Sequence, residues 1–364
     1  MSSRKFRLPW GIDWALFAAP LLLSIFGIVI IFSVTYSTRP FFFFYQIAYA
    51  ALGFIGAILL TFFDYRNLRN FSLFLYLILI ILLVLVLLFG DKTFGAARWI
   101  DLKIFQLQPS EIGKLIIVLI LARIFAENHQ DFKLRHILLA FGVVILPVVL
   151  VLQQPDFGTA MVIFCGLISL LFFSNIKKAI LAVILVGLIL AMPVGWHFLK
   201  PYQKQRIYTF INPAADPYGS GYNVTQAKIT VGSGGLLGQG IGKGTQIQLN
   251  FLPVAHSDFI FATTSEAVGF IGSSFLMILL FFLVYRVLYV AKISKDLFGF
   301  YFAASWGMVL AFQIFVNIGM NLGIMPVTGI PLPFVSYGGS SMLTNMAAIG
   351  ILQSIYIRHR KITF

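Results

Sequence analysis

Acidic side chains are scarce in this chain: 12 Asp and Glu stand among 364 residues, against 26 Lys and Arg. Charged residues of both signs reach only 10%, where a soluble domain carries about a quarter, so an ordinary water-soluble fold is excluded. Cysteine is rarer still. The one thiol, Cys165, lies inside an apolar segment and can make neither an internal disulfide nor a metal cluster, which argues against redox chemistry. The five His are scattered without metal-ligand spacing. There is no internal repeat, low-complexity tail or separate soluble domain, and a single polytopic membrane domain, 1–364, accounts for the whole sequence. The opening MSSRKFRLPWGIDW runs into a full apolar span without a small-residue cleavage site, the pattern of a retained signal anchor.

What is present is apolar: 60% of residues are hydrophobic and the mean hydropathy is +0.95. Runs such as Phe71–Phe89 are solid, of the roughly 20 residues a helix needs to cross a bilayer. A β-barrel is excluded because its strands would alternate. The pattern predicts an all-α integral membrane protein of about ten transmembrane helices, near 13–34, 41–63, 70–89, 106–126, 136–152, 157–174, 179–199, 264–291, 298–322 and 335–357. The net charge of +14 is spread in small groups between these spans, which points to topology and away from nucleic acid. Arg4, Lys5, Arg7, Arg66, Arg69, Arg123, Lys133, Arg135, Lys177, Lys178, Lys292, Lys295, Arg358, Arg360 and Lys361 fall on one side; Arg39, Lys92, Arg98 and Lys103 fall on the other. The positive-inside rule then places both termini in the cytoplasm. Residues 200–263, between helices 7 and 8, become a long extracytoplasmic loop, and such loops tend to be functional.

Charges at membrane depth are costly and mark candidate sites. Glu111 and Lys114, three apart, read as a neutralising ion pair or as the lining of a polar cavity. Asp156 begins a span and reads as a helix cap or a site residue. Lys200, Lys204 and Arg206 open the loop, and Gly232–Gly244 follows, a run compatible with a phosphate cradle or a flexible connection, though without GxxxxGK[ST]. In PVAHSDFIFA, Asp258 reads as a cap of the next span or as a functional carboxylate at an outward mouth. Glu266, eight residues on, falls on roughly the same face, so two carboxylates would look into one cavity, fit for acid–base work or a divalent cation. His256 is read as structural. Pro326–Ser341 carries prolines that break the helix, with hydroxyl residues before the last span, as in a cavity-lining entry.

Together Gly95–Ile100, Gln108–Glu111 with Lys114, Gln154–Thr159, Gly219–Asn223, Gly232–Gly235, His256–Ala262 and Gly329–Ser341 resemble the SEDS family of bacterial cell-wall proteins (shape, elongation, division and sporulation), in the family's order across nearly the full chain. The Asn317–Gly323 run and the Thr328-Gly-Ile-Pro-Leu-Pro form look more like its elongation and rod-shape branch than its division branch. The resemblance implies a peptidoglycan glycosyltransferase that polymerises lipid II outside the cytoplasmic membrane, with Asp258 at the position of the family's catalytic Asp. It also implies a class B penicillin-binding protein and other elongation-complex membrane proteins as partners. One departure is that Val254-Ala255 follows Pro253 where the family usually has Glu, which removes an acidic neighbour from any metal site. On this reading Asp258 is a general base and Arg206, Arg98, Lys204 and Lys243 are cations for a pyrophosphate. Asp156, Ser336 and Ser340 contact substrate, and Glu111 with Lys114 shapes the cavity. A divalent cation, Mg or Mn, on Asp258 and Asp156 is a further expectation, with no organic cofactor. The rival readings are a lipid II flippase and a non-catalytic scaffold of the elongation machinery. A flippase needs a polar path to the inner face, whereas these residues cluster toward the outer half.

Overall fold

The computed structural model describes residues 11–36, 39–93, 96–101, 106–217, 219–249 and 251–359. The signal-anchor reading and the topological charges at Arg4, Lys5, Arg7, Lys103, Arg360 and Lys361 lie outside them. Each of the ten expected spans has a helix: α1 (Trp14–Thr35), α2 (Phe41–Phe62), α3 (Tyr65–Phe89), α4 (Pro109–Glu127), α5 (Leu134–Gln153), α6 (Phe157–Phe173) and α7 (Lys178–Phe198), then, past the long loop, α11 (Ile260–Ile293), α12 (Leu297–Leu322) and α13 (Gly339–Ile357). Seven of the described helices are long and apolar enough to cross a membrane. The chain is a multi-pass membrane protein.

Which helices are central follows from where their polar groups sit. Almost every residue from Pro109 to Phe125 of α4 is buried, including Glu111 and Lys114, and α12 buries Gln313, Asn317 and Asn321. These helices pack against each other and against α6, and α13 lies along α2. By contrast α2, α3 and α7 present rows of exposed Leu, Ile and Phe, as lipid-facing helices do. Few acids are available for helix starts, and they are used there. Asp13 accepts from the amides of Ala15 and Leu16, Asp64 from Arg66, Asp156 from Thr159 and Asp296 from Gly299.

Two expectations are corrected. The connection between α3 and α4 is a small antiparallel sheet, β1 (Asp91–Thr93), β2 (Ala96–Asp101) and β3 (Gln106–Leu107), in that order, whose last residues take the first positions of the expected fourth span, and the helix itself starts at Pro109. Pro109 supplies the reason, since proline at a first helical position closes the extended segment and opens the helix. The 200–263 segment is itself folded, into α8 (Pro201–Ile211), α9 (Ser220–Ser233) and the single turn α10 (Thr245–Gln248).

The glycine-rich run is tied into the bundle by backbone hydrogen bonds to a broken helix. α11 is interrupted at Gly269 (φ 66°, ψ −165°), which would orphan backbone groups on both sides of the break. The loop replaces the missing ladder: Phe270 and Ile271 N–H donate to the carbonyls of Gly235 and Leu236 at 2.9 and 3.2 Å, while the carbonyls of Glu266 and Ala267 accept from Gln239 and Gly240 N–H at 2.8 and 3.0 Å. A side chain at Gly234 or Gly238 would overlap the carbonyls of Ser265 or Ala267, so glycine is required for this approach. Glu266 is correspondingly turned away from Asp258. Its Oε1 accepts the Gln246 amide at 2.9 Å, beside those of Thr245 and Ile247, so the shared two-carboxylate cavity does not form.

Candidate active site

At the loop end of the bundle, the segment His256–Asp258 is fixed from two sides. Asn317 and Asn321, one turn apart on α12, donate from Nδ2 to the Asp258 carbonyl at 3.0 and 3.1 Å. Asn317 Nδ2 also holds the Ile330 carbonyl at 2.8 Å, and Asn321 Oδ1 accepts the Ala262 amide at 3.1 Å. From α13's entry, Ser336 Oγ donates to the Ser257 carbonyl at 2.7 Å and Tyr337 N–H to the His256 carbonyl at 2.9 Å. Gln46 on α2 in turn bonds the Ser336 carbonyl and the Gly338 amide. None of Gln46, Asn317 and Asn321 is among the candidate site residues that the sequence offers. Their signal was available: amides one helical turn apart in an apolar span need partners.

The Asp258 side chain is not a cap. α11 begins without a side-chain cap, and the one hydrogen bond given to the carboxylate comes from Ser257 Oγ at 3.2 Å. Every other acid with described contacts has a structural task. Glu111, Glu127 and Asp131 hold basic partners, and Asp216 accepts the Gly219 amide. Asp258 is half-buried, and burial raises its pKa above the usual carboxylate range, while Ser257, Arg206 and Arg98 act in the opposite direction and Asp156 adds to the rise.

Arg206, on α8, and Arg98, on β2, therefore share one electrostatic neighbourhood with Asp258 and Asp156. Arg98 is oriented by backbone: Nε donates to the Gln154 carbonyl at 3.0 Å and Nη2 to that of Pro155. Arg206 Nη1 donates to the Thr328 carbonyl at 3.3 Å. Neither guanidinium is in a salt bridge among the described residues, so neither charge is neutralised by a direct ion pair there. Asp156 caps α6 and accepts from Gln108 Nε2 at 3.1 Å and Ser110 Oγ at 3.4 Å, which ties α4 and α6 together at this end. Ser340 Oγ accepts the Gln108 amide at 2.9 Å and donates to the Gln106 carbonyl at 3.2 Å, joining α13 to β3.

The structure does not bring all the expected residues together. Lys204 Nζ sits over the Trp196 ring, 5.7 Å from its centroid, and Lys243 is exposed on the glycine-rich segment. Lys114 Nζ donates to Glu111 Oε2 at 2.7 Å, both groups buried in α4. The two carboxylates do not fit a protein-held divalent cation. Asp156 already has both oxygens engaged, two guanidinium groups stand close by, and among the described residues no three His, Cys, Asp or Glu are grouped to ligate a metal.

The whole arrangement has counterparts in known proteins. The family model for the FtsW, RodA and SpoVE group, described as cell cycle protein, matches residues 12–361. The peptidoglycan glycosyltransferase MrdB of Escherichia coli (strain K12) is 41% identical over 274 residues, 75% of this chain and 74% of that protein. Stage V sporulation protein E of Bacillus subtilis (strain 168) is 35% identical over 355 residues, 94% of this chain and 96% of that one. Among solved structures, a chain from work on the structural coordination of polymerization and crosslinking by a peptidoglycan synthase complex matches with a TM-score of 0.84 at 31% identity, over 96% of this chain and 99% of that chain. The Thermus thermophilus rod shape determining protein RodA matches with a TM-score of 0.72 at 27% identity, over 95% and 97% of the two chains.

Proposed function

The chain belongs to the FtsW, RodA and SpoVE family of cell cycle proteins, and from that premise we propose that it is a peptidoglycan glycosyltransferase polymerising lipid II into glycan strands at the outer face of the cytoplasmic membrane, in cell elongation and rod-shape maintenance. The relative MrdB of Escherichia coli is named a peptidoglycan glycosyltransferase. The observation that carries the mechanism is Asp258, a half-buried carboxylate with no capping or ion-pairing task among the described residues, raised in pKa by burial and within the electrostatic reach of Arg206 and Arg98.

Strand extension joins an acceptor sugar's C4 hydroxyl to the anomeric carbon of a donor carrying a lipid pyrophosphate. The hydroxyl is a poor nucleophile until its proton has somewhere to go. Asp258 takes that proton as the oxygen bonds to the anomeric carbon. The bond from that carbon to the pyrophosphate oxygen breaks, and its electron pair departs with the lipid pyrophosphate. Single displacement inverts the α-linked donor to a β-linked product, with base and leaving group on opposite faces, as in inverting glycoside chemistry. Arg98 and Arg206 meet the charge that builds on the leaving group, and guanidinium groups suit bidentate phosphate contact. Ser336 and Asp156 act through the backbone they fix, and Ser340 by joining the sheet to α13. Glu111 and Lys114 keep the helix beneath the site paired and rigid. No step is routed through a metal.

On this reading both termini are cytoplasmic, the site faces outward, and a class B penicillin-binding protein supplies the cross-linking activity, in keeping with the synthase complex to which the structural neighbour belongs. The test is strand formation from lipid II by the protein purified with a candidate transpeptidase. The unaltered chain makes strands, while Asp258→Asn and Asp258→Ala, still folded and partner-bound, lose at least about a hundredfold in rate, as expected for removal of a general base. Normal polymerisation by Asp258→Asn would remove the carboxylate from the chemistry. Lipid II crossing vesicles without polymerisation would transfer the assignment to a flippase.

A further inference from the structure

Polymerisation brings two lipid-linked saccharides to one carboxylate, and the site described so far provides cations for one. A second cluster of rings with a cation packs on His256, two residues before Asp258. Arg39, exposed between α1 and α2, has its guanidinium 5.5 Å from the centroid of the Phe42 ring. Phe42 stacks on Tyr337 at 4.6 Å and stands 5.1 Å from the His256 ring, and His256 meets Tyr337 edge-on at 5.6 Å. Tyr49 pairs with Tyr337 through their hydroxyls and with Tyr45 face to face at 6.4 Å. Phe42, Tyr49, Tyr337 and His256 are all half-buried, so their packed rings form a wall with one open face.

The electrostatics divide in the same way as the geometry. Arg98 and Arg206 act on Asp258, whereas Arg39 acts on His256, whose pKa burial and that arginine push down to about 4. The imidazole is therefore neutral at ordinary pH and serves as a ring surface and hydrogen-bonding group, without competing for an anion. The contacts run from His256, two residues before Asp258 in the chain, to Phe42 packed on its ring and to Arg39 over Phe42. Each ring-to-ring step is comparable to one sugar ring.

Resting on the glycosyltransferase reading above, we propose that Arg39, Phe42, His256 and Tyr337 form the acceptor subsite, which binds a polyprenyl-pyrophosphate-linked disaccharide with its attacking hydroxyl at Asp258, its sugar faces along the aromatic wall and its pyrophosphate at Arg39. Aromatic rings offer an apolar face to the C–H side of a pyranose and, in tyrosine, a hydroxyl for its polar rim. Arginine at the far end supplies the planar phosphate contact. This leaves Arg98 and Arg206 for the donor, so two like-charged pyrophosphates are held apart on opposite sides of the carboxylate.

The test uses the full chain with its transpeptidase and lipid II. Arg39→Gln and Phe42→Ala raise the lipid II concentration giving half-maximal strand synthesis by about tenfold or more, while Arg39→Lys and Phe42→Tyr restore most of it. In an Asp258→Asn background, native mass spectrometry counts two lipid II molecules per protein, and Arg39→Gln reduces the count to one. If the wall is only an interfacial anchor, Phe42→Ala lowers the melting temperature but leaves the half-saturating concentration and the count unchanged, and the subsite is overturned while strand synthesis stands. If the unaltered complex makes no strands, the parent reading fails and this one with it.

Discussion

Asp258 and Asp156 face each other as candidates in the sequence, since each precedes a span and each is compatible with a cap. Structure separates them by what their oxygens do. Asp156 has an amide, a carboxamide and a hydroxyl donor on it, whereas Asp258 has a single hydroxyl and two guanidinium groups at a distance. That difference has a pH signature. A raised pKa keeps Asp258 protonated to higher pH than an ordinary carboxyl, and only the ionised form accepts the acceptor's proton. The initial rate at low lipid II therefore falls as pH drops, along a limb lying above the normal carboxylate range. Arg206 is one of the groups lowering that pKa, so Arg206→Gln moves the limb further up as well as slowing the reaction. A limb that stays in place in Arg206→Gln would count against the base assignment. Asp258 stands out as a candidate in the sequence because so few acids are present. The identity of its supports was not, because Asn317 and Asn321 reach it across 59 and 63 residues of chain.

At the scale of elements, the solid apolar runs made the ten helices legible, seven of the described ones by their length and composition alone. The extracytoplasmic segment was opaque for the opposite reason. The partners that order Gly232–Gly244 are carbonyls and amides of a broken helix, and no side-chain pattern records them. Gly269 is the hinge of that exchange. Its φ of 66° is a left-handed conformation, and a Cβ there would overlap the Gly238 amide and the Leu236 carbonyl. Gly269→Ala should destabilise by about 1–3 kcal/mol from the backbone conformation alone, with the overlap adding to it. The expected result is a lower melting temperature in detergent and new proteolytic cleavage between residues 232 and 248, accompanied by reduced strand synthesis, because Asp258 sits at the start of the helix the loop repairs. Unchanged protease resistance would show that the loop holds its place without the α11 ladder.

For the molecule as a whole, polar contacts gather at two opposite ends of an apolar bundle. One end joins Asp13 to Arg286 and Gln353, Tyr65 to Asp296, and Arg358 to the end of α2. The other joins Gln46 to Ser336, Arg98 to Gln154, Gln108 to Asp156 and Arg206 to Thr328. Most of the basic residues that orient a membrane protein lie at the first end, among them Arg66, Arg69, Arg123, Lys177, Lys292 and Lys295, so the positive-inside rule predicts that end in the cytoplasm and the carboxylate outside. Cysteine labelling makes this directly measurable, because the chain's one native thiol, Cys165, lies within the apolar helix α6 and away from both ends. Lys243→Cys and Lys295→Cys each replace an exposed residue, at the second and first end respectively. In intact cells a membrane-impermeant maleimide should label Lys243→Cys and spare Lys295→Cys, and permeabilisation should expose the latter. The reverse pattern would turn the bundle over and put Asp258 on the side where lipid II is made, so that a polymerase acting outside could not use it.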